Sequence, residues 1–288
     1  MTDPFLIEPP ALISFSGGRT SALMLRLILD AHGGTLPDGL FVTFANTGKE
    51  REETLRFVHE CSSRWAVRVH WLQYTTRRLT TDDGKPLPFD ERFEVVGFNS
   101  AARLGEPFED LIRSKGYLPN AVTRFCTQDL KIRVMLHFMR AQGFERWTNV
   151  VGLRADEPRR VAKMKVAKVQ HWTPALPLFE AGITVRDVAA FWRAQPFDLG
   201  LLPFEGNCDG CFLKARAKLW ETERNHPGTL AWWSEQEKTT GGRFVTERTI
   251  DELINQVRRQ PDLFAGGLFD QDPEMDAECG TWCEGGAP

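Results

Sequence analysis

The sequence predicts an α/β protein: a parallel sheet flanked by helices, with a smaller cysteine-bearing C-terminal part. Short apolar runs alternate with stretches of helical periodicity between Ala11 and Arg154, as βαβ units require. A Ser-Gly-Gly stretch, Ser16 to Gly18, joins the first apolar run directly to the first helical one. The composition, 42% hydrophobic and 26% charged in 288 residues, suits one large domain or a domain with an appendage.

"ALISF" (11–15) reads as a buried strand. "TSALMLRLILDAHGG" (20–34) reads as a helix ending at glycine; it is apolar almost all round, so it is expected to be buried. "LFVTFA" (40–45) is a second strand, and "EREETLRFVHECSSRW" (50–65) a helix with Leu55, Val58, Cys61 and Trp65 on one stripe. That stripe makes Cys61 a core thiol. "VRVHWLQY" (67–74) and "WTNVVGLR" (147–154) are the third and fourth strands. Right-handed crossovers place a ligand at the carboxyl ends of such strands.

The stretch 76–122 is less regular and reads as a loop excursion. Helical pattern returns at 128–142 and 184–194. The Pro- and Gly-rich "QPFDLGLLPFEGN" (195–207) marks a boundary, giving an α/β domain over residues 1–200 and a C-terminal part over 201–288. Trp220, Trp232 and Trp233 are read as packing a small core there, against the alternative of stacking bases.

The formal net charge of -3 supplies no bulk attraction to nucleic acid or anionic membrane. "MTDPFLIEPP" has neither a basic n-region nor an apolar h-region, and no apolar run approaches the roughly 20 residues of a membrane span. The expectation is a cytoplasmic chain without a membrane partner. In that reducing setting the six cysteines, Cys61, Cys126, Cys208, Cys211, Cys279 and Cys283, point to metal or catalysis more than to structural disulfides.

Ser16, Gly17, Gly18, Arg19, Thr20 and Ser21 lie between strand and helix. Successive backbone N–H groups there form an anion nest, and the helix N-terminus adds partial positive charge. The hydroxyls add donors. The loop reads as a phosphate site; it lacks the Gly-Lys-Ser/Thr ending of a Walker A loop. The competing interpretation is a tight strand–helix turn with a hydroxyl N-cap. Arg154, Asp156, Glu157 and Arg160 follow the fourth strand. A guanidinium there can grip phosphate through paired hydrogen bonds, and the carboxylates can orient it or hold Mg²⁺. Lys163, Lys165 and Lys168 continue the basic run, either solvated or facing a nucleic-acid backbone.

"SFSGGRTS" resembles the PP-loop, Ser-Gly-Gly-x-Asp-Ser, of the ATP-pyrophosphatase superfamily, which includes 3′-phosphoadenylyl-sulfate (PAPS) reductases, sulfurylases, tRNA thiolases and a DNA-phosphorothioation sulfur-transfer subunit. "FANTGKEREETLRFV" (44–58), "RFCTQDLKI" (124–132) and "VVGLRADEPRR" (150–160) are similar to three further segments of the PAPS-reductase-like branch. The four ordered matches span about residues 10–180. The resemblance implies an adenine nucleotide alpha-hydrolase-like fold. It implies that ATP or PAPS is bound through Ser16–Ser21, Asn46, Thr47, Gly48, Gly152, Arg154 and Arg160, with Arg154 and Asp156 near the chemistry. The chain departs from the family pattern at Thr20 and Asn46, where an aspartate is usual.

Cys126 and the Cys208-x-x-Cys211 pair each sit near a predicted helix start, beside Arg124, Lys131 and Lys214. That setting favours thiolates, which suit zinc or iron–sulfur. The resemblance implies a [4Fe–4S] cluster on Cys126, Cys208 and Cys211, either with one open iron or closed by Cys279 or Cys283. "ECG" at 278–280 is similar to the nucleophile-bearing ending of PAPS reductases, making Cys279 a candidate nucleophile. Two chemistries follow. ATP adenylates an acceptor that sulfur then attacks, with a sulfur donor such as a cysteine desulfurase and tRNA or DNA as acceptor. Alternatively the chain reduces PAPS or adenylyl sulfate to release sulfite. A third expectation is a nucleotide-binding subunit without catalysis, and a homo-oligomer fits any of the three.

Overall fold

The side chains of β1 (Ala11–Ser14) alternate between two cores, as a strand's period of two demands. Leu12 joins the cluster on one face and Ile13 the cluster on the other. Both faces are covered, so the central strands send apolar side chains to both. In this computed structural model residues 3–75, 92–166, 171–202, 204–245 and 248–259 are described. Lys168, Cys279 and Cys283 lie outside them.

The chain order is β1, α1 (Arg19–Ala31), β2 (Leu40–Asn46), α2 (Glu52–Arg64), β3 (Val69–Tyr74), β4 (Phe93–Val96) and α3 (Glu106–Lys115). A continuous helical stretch follows: α4 (Phe125–Thr127), a π-helical turn over Gln128–Ile132, and α5 (Arg133–Ala141). Then come β5 (Trp147–Val151), α6 (Pro158–Val166), β6 (Trp172–Ala175), α7 (Pro177–Glu180), α8 (Val185–Arg193), α9 (Arg216–Asn225), α10 (Ala231–Thr240) and α11 (Ile250–Arg259).

The sheet order is β4-β3-β2-β1-β5-β6. All pairings are parallel except β3 with β4. The chain steps outward from β1 through β2 to β3, then resumes on the other side of β1 at β5. That reversal opens a crevice at the carboxyl ends of β1 and β5, where such sheets bind ligands. One face packs Leu23, Leu25, Leu55, Val58 and Trp192 from α1, α2 and α8. The other packs Phe108, Met135, Leu219, Trp233 and Leu253 from α3, α5, α9, α10 and α11, so the C-terminal helices share their apolar cluster with the sheet. Cys61 is fully buried in the first cluster, and burial, then Glu60, push its thiol pKa far up.

The structure departs from the sequence expectations in three places. The span expected as a loop contains β4 and α3; an edge strand is held by its partner's backbone and needs little pattern of its own. β6 was not anticipated, and Pro174 sits in it, as proline can in an edge strand. The C-x-x-C pair is not at a helix start: α9 begins at Arg216, and Lys214 N donates to Cys211 O at 3.0 Å in an intervening turn.

Candidate functional site: a phosphate loop beside a C-x-x-C turn

The loop from Ser16 to Ser21 leaves β1 at the crevice. Gly17 has φ +82°, and a Cβ there would stand 2.7 Å from Thr54 Cγ2 and 3.0 Å from Phe44 Cε2, so only glycine fits. The carbonyls of the loop are tied down: Asn207 Nδ2 donates to Ser16 O (3.0 Å) and Trp192 Nε1 to Arg19 O (2.9 Å). Ser21 Oγ and Ala22 N both donate to Gly18 O (3.0 Å each), and the Ser16 and Ser21 hydroxyls are 2.9 Å apart. These bonds fix the peptide planes of the turn. The first N–H groups of α1 have no acceptor further up the helix, and no side chain caps Gly18. The N-cap position is thus a glycine and not a hydroxyl residue.

The segment after β5 closes on that loop. A Cβ at Gly152 would lie 3.3 Å from Ser21 Cα. Arg154, 6% exposed, donates through Nη1 to Thr20 Oγ1 (3.1 Å) and through Nε to Asp156 Oδ1 (3.1 Å). Glu157 accepts from Arg154 N (3.0 Å) and pairs with Arg160. Asp156 and Glu157 thus orient the arginines, while Arg159 is exposed. Arg19 is engaged by Asp198, with Nε at 2.7 Å and Nη2 at 2.5 Å. Partial burial raises the Asp198 pKa, and the Arg19 bonds more than offset it, leaving a net depression.

Asn46 is fully buried. Its Nδ2 donates to Gln73 Oε1 (2.9 Å) and Ala102 O (3.0 Å), and its Oδ1 accepts from Gly48 N (3.2 Å). Ala102 N also donates to Gln73 Oε1 (3.0 Å), which fixes the orientation of both amides. An aspartate here would face two acceptors. Asn46 therefore satisfies a local bonding requirement that a carboxylate could not, whereas the bond Thr20 accepts from Arg154 is one an aspartate could also accept.

Glu50 was not singled out in the sequence. It accepts from Thr47 N (2.7 Å) and Thr47 Oγ1 (2.8 Å) and holds the Thr47-Gly48 turn. The Thr-x-x-Glu spacing of a capping box was the available signal. Burial raises its pKa against the opposing pull of Lys131 and Thr47. Its backbone forms a β-bridge with Cys208, and the neighbouring Arg51 N donates to Asn207 O (2.7 Å). Asn207 was also missed; no local pattern marks a lone asparagine. Through it the Cys208–Cys211 turn is attached to the phosphate loop. Asp209 anchors the turn from the other side, to Lys49 Nζ and to Trp233 Nε1 (2.8 Å each). Trp220 and Trp233 are buried and Trp232 packs against Trp233, as the packing interpretation expected. Burial lowers the pKa of Lys214 and Arg51 adds to this, while Cys211, Cys208 and Glu205 pull it upward.

Among the described residues, no three His, Cys, Asp or Glu side chains gather into a group able to hold a metal ion. Cys126, Cys208 and Cys211 are thus not gathered into a cluster cradle, and Asp156 and Glu157 are engaged by Arg154 and Arg160. Nor is any helix among the described residues long and apolar enough to cross a membrane.

Sheet order, crevice and glycine loop together define a PP-loop protein of the adenine nucleotide alpha-hydrolase-like type. The phosphoadenosine phosphosulfate reductase domain model matches residues 10–86. The uncharacterized nin region protein ORF290 of Escherichia phage lambda is 30% identical over 266 residues, covering 91% of this chain and 86% of that protein. The chain belongs to the PAPS reductase-like family of the PP-loop superfamily. A PAPS reductase from Candida auris in phosphate complex superposes with a TM-score of 0.37 at 15% identity, covering 66% of this chain and 76% of that one. The U34-tRNA thiolase NcsA of Methanococcus maripaludis, with its [4Fe-4S] cluster, superposes with a TM-score of 0.39 at 12% identity, over 91% and 85%.

Proposed function

We propose that the chain is a cytoplasmic PP-loop enzyme of sulfur transfer. It binds ATP with the phosphates on Ser16–Ser21, flanked by Asn46–Gly48 and by Gly152, Arg154 and Arg160. The observation that carries this is the Asn207 bond to Ser16 O, which sets the C-x-x-C turn against the phosphate loop. A thiol pair is thereby held next to the nucleotide.

The division of labour follows. An acceptor oxygen attacks the α-phosphorus of ATP and pyrophosphate leaves. The loop N–H groups and Arg154 stabilise the developing negative charge. Sulfur carried as a persulfide on one thiol of the Cys208–Cys211 pair, loaded by a donor such as a cysteine desulfurase, attacks the adenylated acceptor and AMP leaves. The second thiol then breaks the S–S link to the acceptor, and an external dithiol reduces the resulting Cys208–Cys211 disulfide. Among the described residues the donor geometry gathers no metal group, so no step is routed through a cluster and Cys126 is given no ligand role. The exposed Arg159, Lys163 and Lys165 on α6 suit a tRNA or DNA acceptor.

A second chemistry, reduction of PAPS with Cys279 attacking the sulfonyl sulfur, is favoured by the match of residues 10–86 to the reductase domain. Purified chain given ATP, acceptor RNA or DNA, a persulfide donor and a dithiol is expected to release pyrophosphate and AMP, with Cys208→Ser blocking sulfur incorporation. Sulfite release from PAPS, lost in Cys279→Ser, would replace that conclusion with the reductase. Tight ATP binding with no turnover in either assay would leave a nucleotide-binding subunit.

A further inference from the structure

Cys208 and Cys211 stand at the two ends of a turn made by Asp209 and Gly210. The ends of such a turn lie within about 7 Å, the Cα separation that a disulfide can bridge. Both residues are thiols here, and both are half-buried rather than sealed in the core. The turn between them has no slack. A Cβ on Gly210 would stand 2.2 Å from Trp233 Nε1. Asp209 N donates to Lys49 O at 2.9 Å, and its carboxylate is held by Lys49 and Trp233. Phe212, which follows Cys211, is buried and stacks on Phe244.

Asn207, on the other side of Cys208, is held less completely. Its Nδ2 donates to Ser16 O, but its Oδ1 is buried without a hydrogen-bond partner. A buried acceptor left unpaired disfavours the position that buries it. The Ser16–Gly17 peptide is planar, so its carbonyl and the Gly17 N–H point opposite ways. Holding Ser16 O therefore aims the Gly17 N–H, one of the donors of the phosphate loop. Glycine has no side chain to hold that plane once the carbonyl is released.

We propose that the Cys208–Cys211 pair is a redox control on nucleotide binding. One thiolate attacks a small-molecule disulfide such as glutathione disulfide and expels one glutathione; the second thiolate then displaces the other. The pair closes as an S–S bond, and both glutathiones leave reduced, carrying the two thiol protons. Bringing the sulfurs to about 2.05 Å shifts the Cys208 side of the turn, since Asp209 to Phe212 are clamped. Asn207 is drawn from Ser16 O, the Gly17 N–H loses its aim, and the phosphates bind more weakly. By reciprocity, ATP opposes the oxidation by the same factor. The inference rests on ATP binding at Ser16–Ser21 and not on sulfur transfer.

The test is an ATP isotherm by calorimetry on the full chain, equilibrated in reduced and in oxidised glutathione. Peptide mass spectrometry reads the state of the pair. The oxidised chain is expected to bind about tenfold more weakly. Tenfold corresponds to a rise of about 30 mV in the pair's reduction potential when ATP saturates both states. Cys211→Ser should give the same affinity in both buffers, and Asn207→Ala should lose most of the redox response. Should Asn207→Ala fail to fold, the wild-type potential with and without ATP decides. Equal affinities with the disulfide confirmed, no disulfide between Cys208 and Cys211, a full response in Asn207→Ala, or a potential unmoved by ATP would overturn the proposal. No ATP binding in either state would overturn the proposed function with it. Failed sulfur transfer with the tenfold difference intact would count against that function alone.

Discussion

Arg154 Nη1 donates to the Thr20 hydroxyl at 3.1 Å, joining the segment after β5 to the first turn of α1. The bond spans the crevice wall and aims a charged group at the phosphate loop. Thr20→Val keeps the shape and removes the acceptor. It leaves a buried guanidinium N–H unpaired, a loss of about 1–3 kcal/mol. Urea denaturation should show a stability drop in that range, and calorimetry about a tenfold weaker ATP affinity. Thr20→Ser should retain both.

Asn46 answers a different need. Asn46→Asp restores the residue usual in the family, but it sets a carboxylate against Gln73 Oε1 and Ala102 O. The expected outcome is destabilisation by about 2–4 kcal/mol, with no gain in nucleotide affinity. A variant as stable as the wild type would show that the amide network is not what selects asparagine.

Gly17→Ala combines a positive φ with a methyl group 2.7 Å from Thr54 Cγ2. Strain and overpacking together should cost about 2–4 kcal/mol, and the displaced loop should lose nucleotide binding by more than tenfold. Pairing it with Thr54→Ser, which deletes Cγ2, should recover part of the stability but not the cost of the positive φ.

His70 packs between Phe41 and Phe138. Burial, then Arg68, lower its pKa from the ordinary 6.5 to about 4. The unfolded chain therefore binds more protons between those values, so stability is full above pH 6.5 and falls as pH drops toward 4. The ring is half-buried, so the loss is discounted to about 1–2 kcal/mol. Denaturation midpoints measured from pH 7.5 to 4 should show this slope, and His70→Phe should flatten it.

The sheet and the phosphate loop were legible in the sequence because their signals are local. Apolar runs at 11–15 and 40–45 end within a residue of the observed strands, and Ser-Gly-Gly between strand and helix marks the turn that needs Gly17. The Arg154–Asp156 pairing was legible for the same reason: two residues of one turn. β4 and α3 were not, since an edge strand is specified by the backbone of β3 rather than by its own pattern. Cys208 and Cys211 were read as candidates, but their placement near a helix start came from local pattern and the metal group shared with Cys126 from the family resemblance, neither of which carries a three-dimensional distance in this chain.

By itself the sequence determined the fold class, the core stripe that buries Cys61, and the glycine turn that leads from β1 into α1. These follow from periodicity of two and 3.6 and from glycine's freedom at positive φ. Only the tertiary structure decided that Asn207 ties the C-x-x-C turn to Ser16, that Thr20 meets Arg154 and Asn46 is held by Gln73, and that Arg124 Nε and Nη2 are buried without a hydrogen-bond partner. Each of those joins residues 27 to 191 positions apart, or depends on a missing neighbour. Satisfaction of buried polar groups is a property of the packed whole, and no window of sequence contains it.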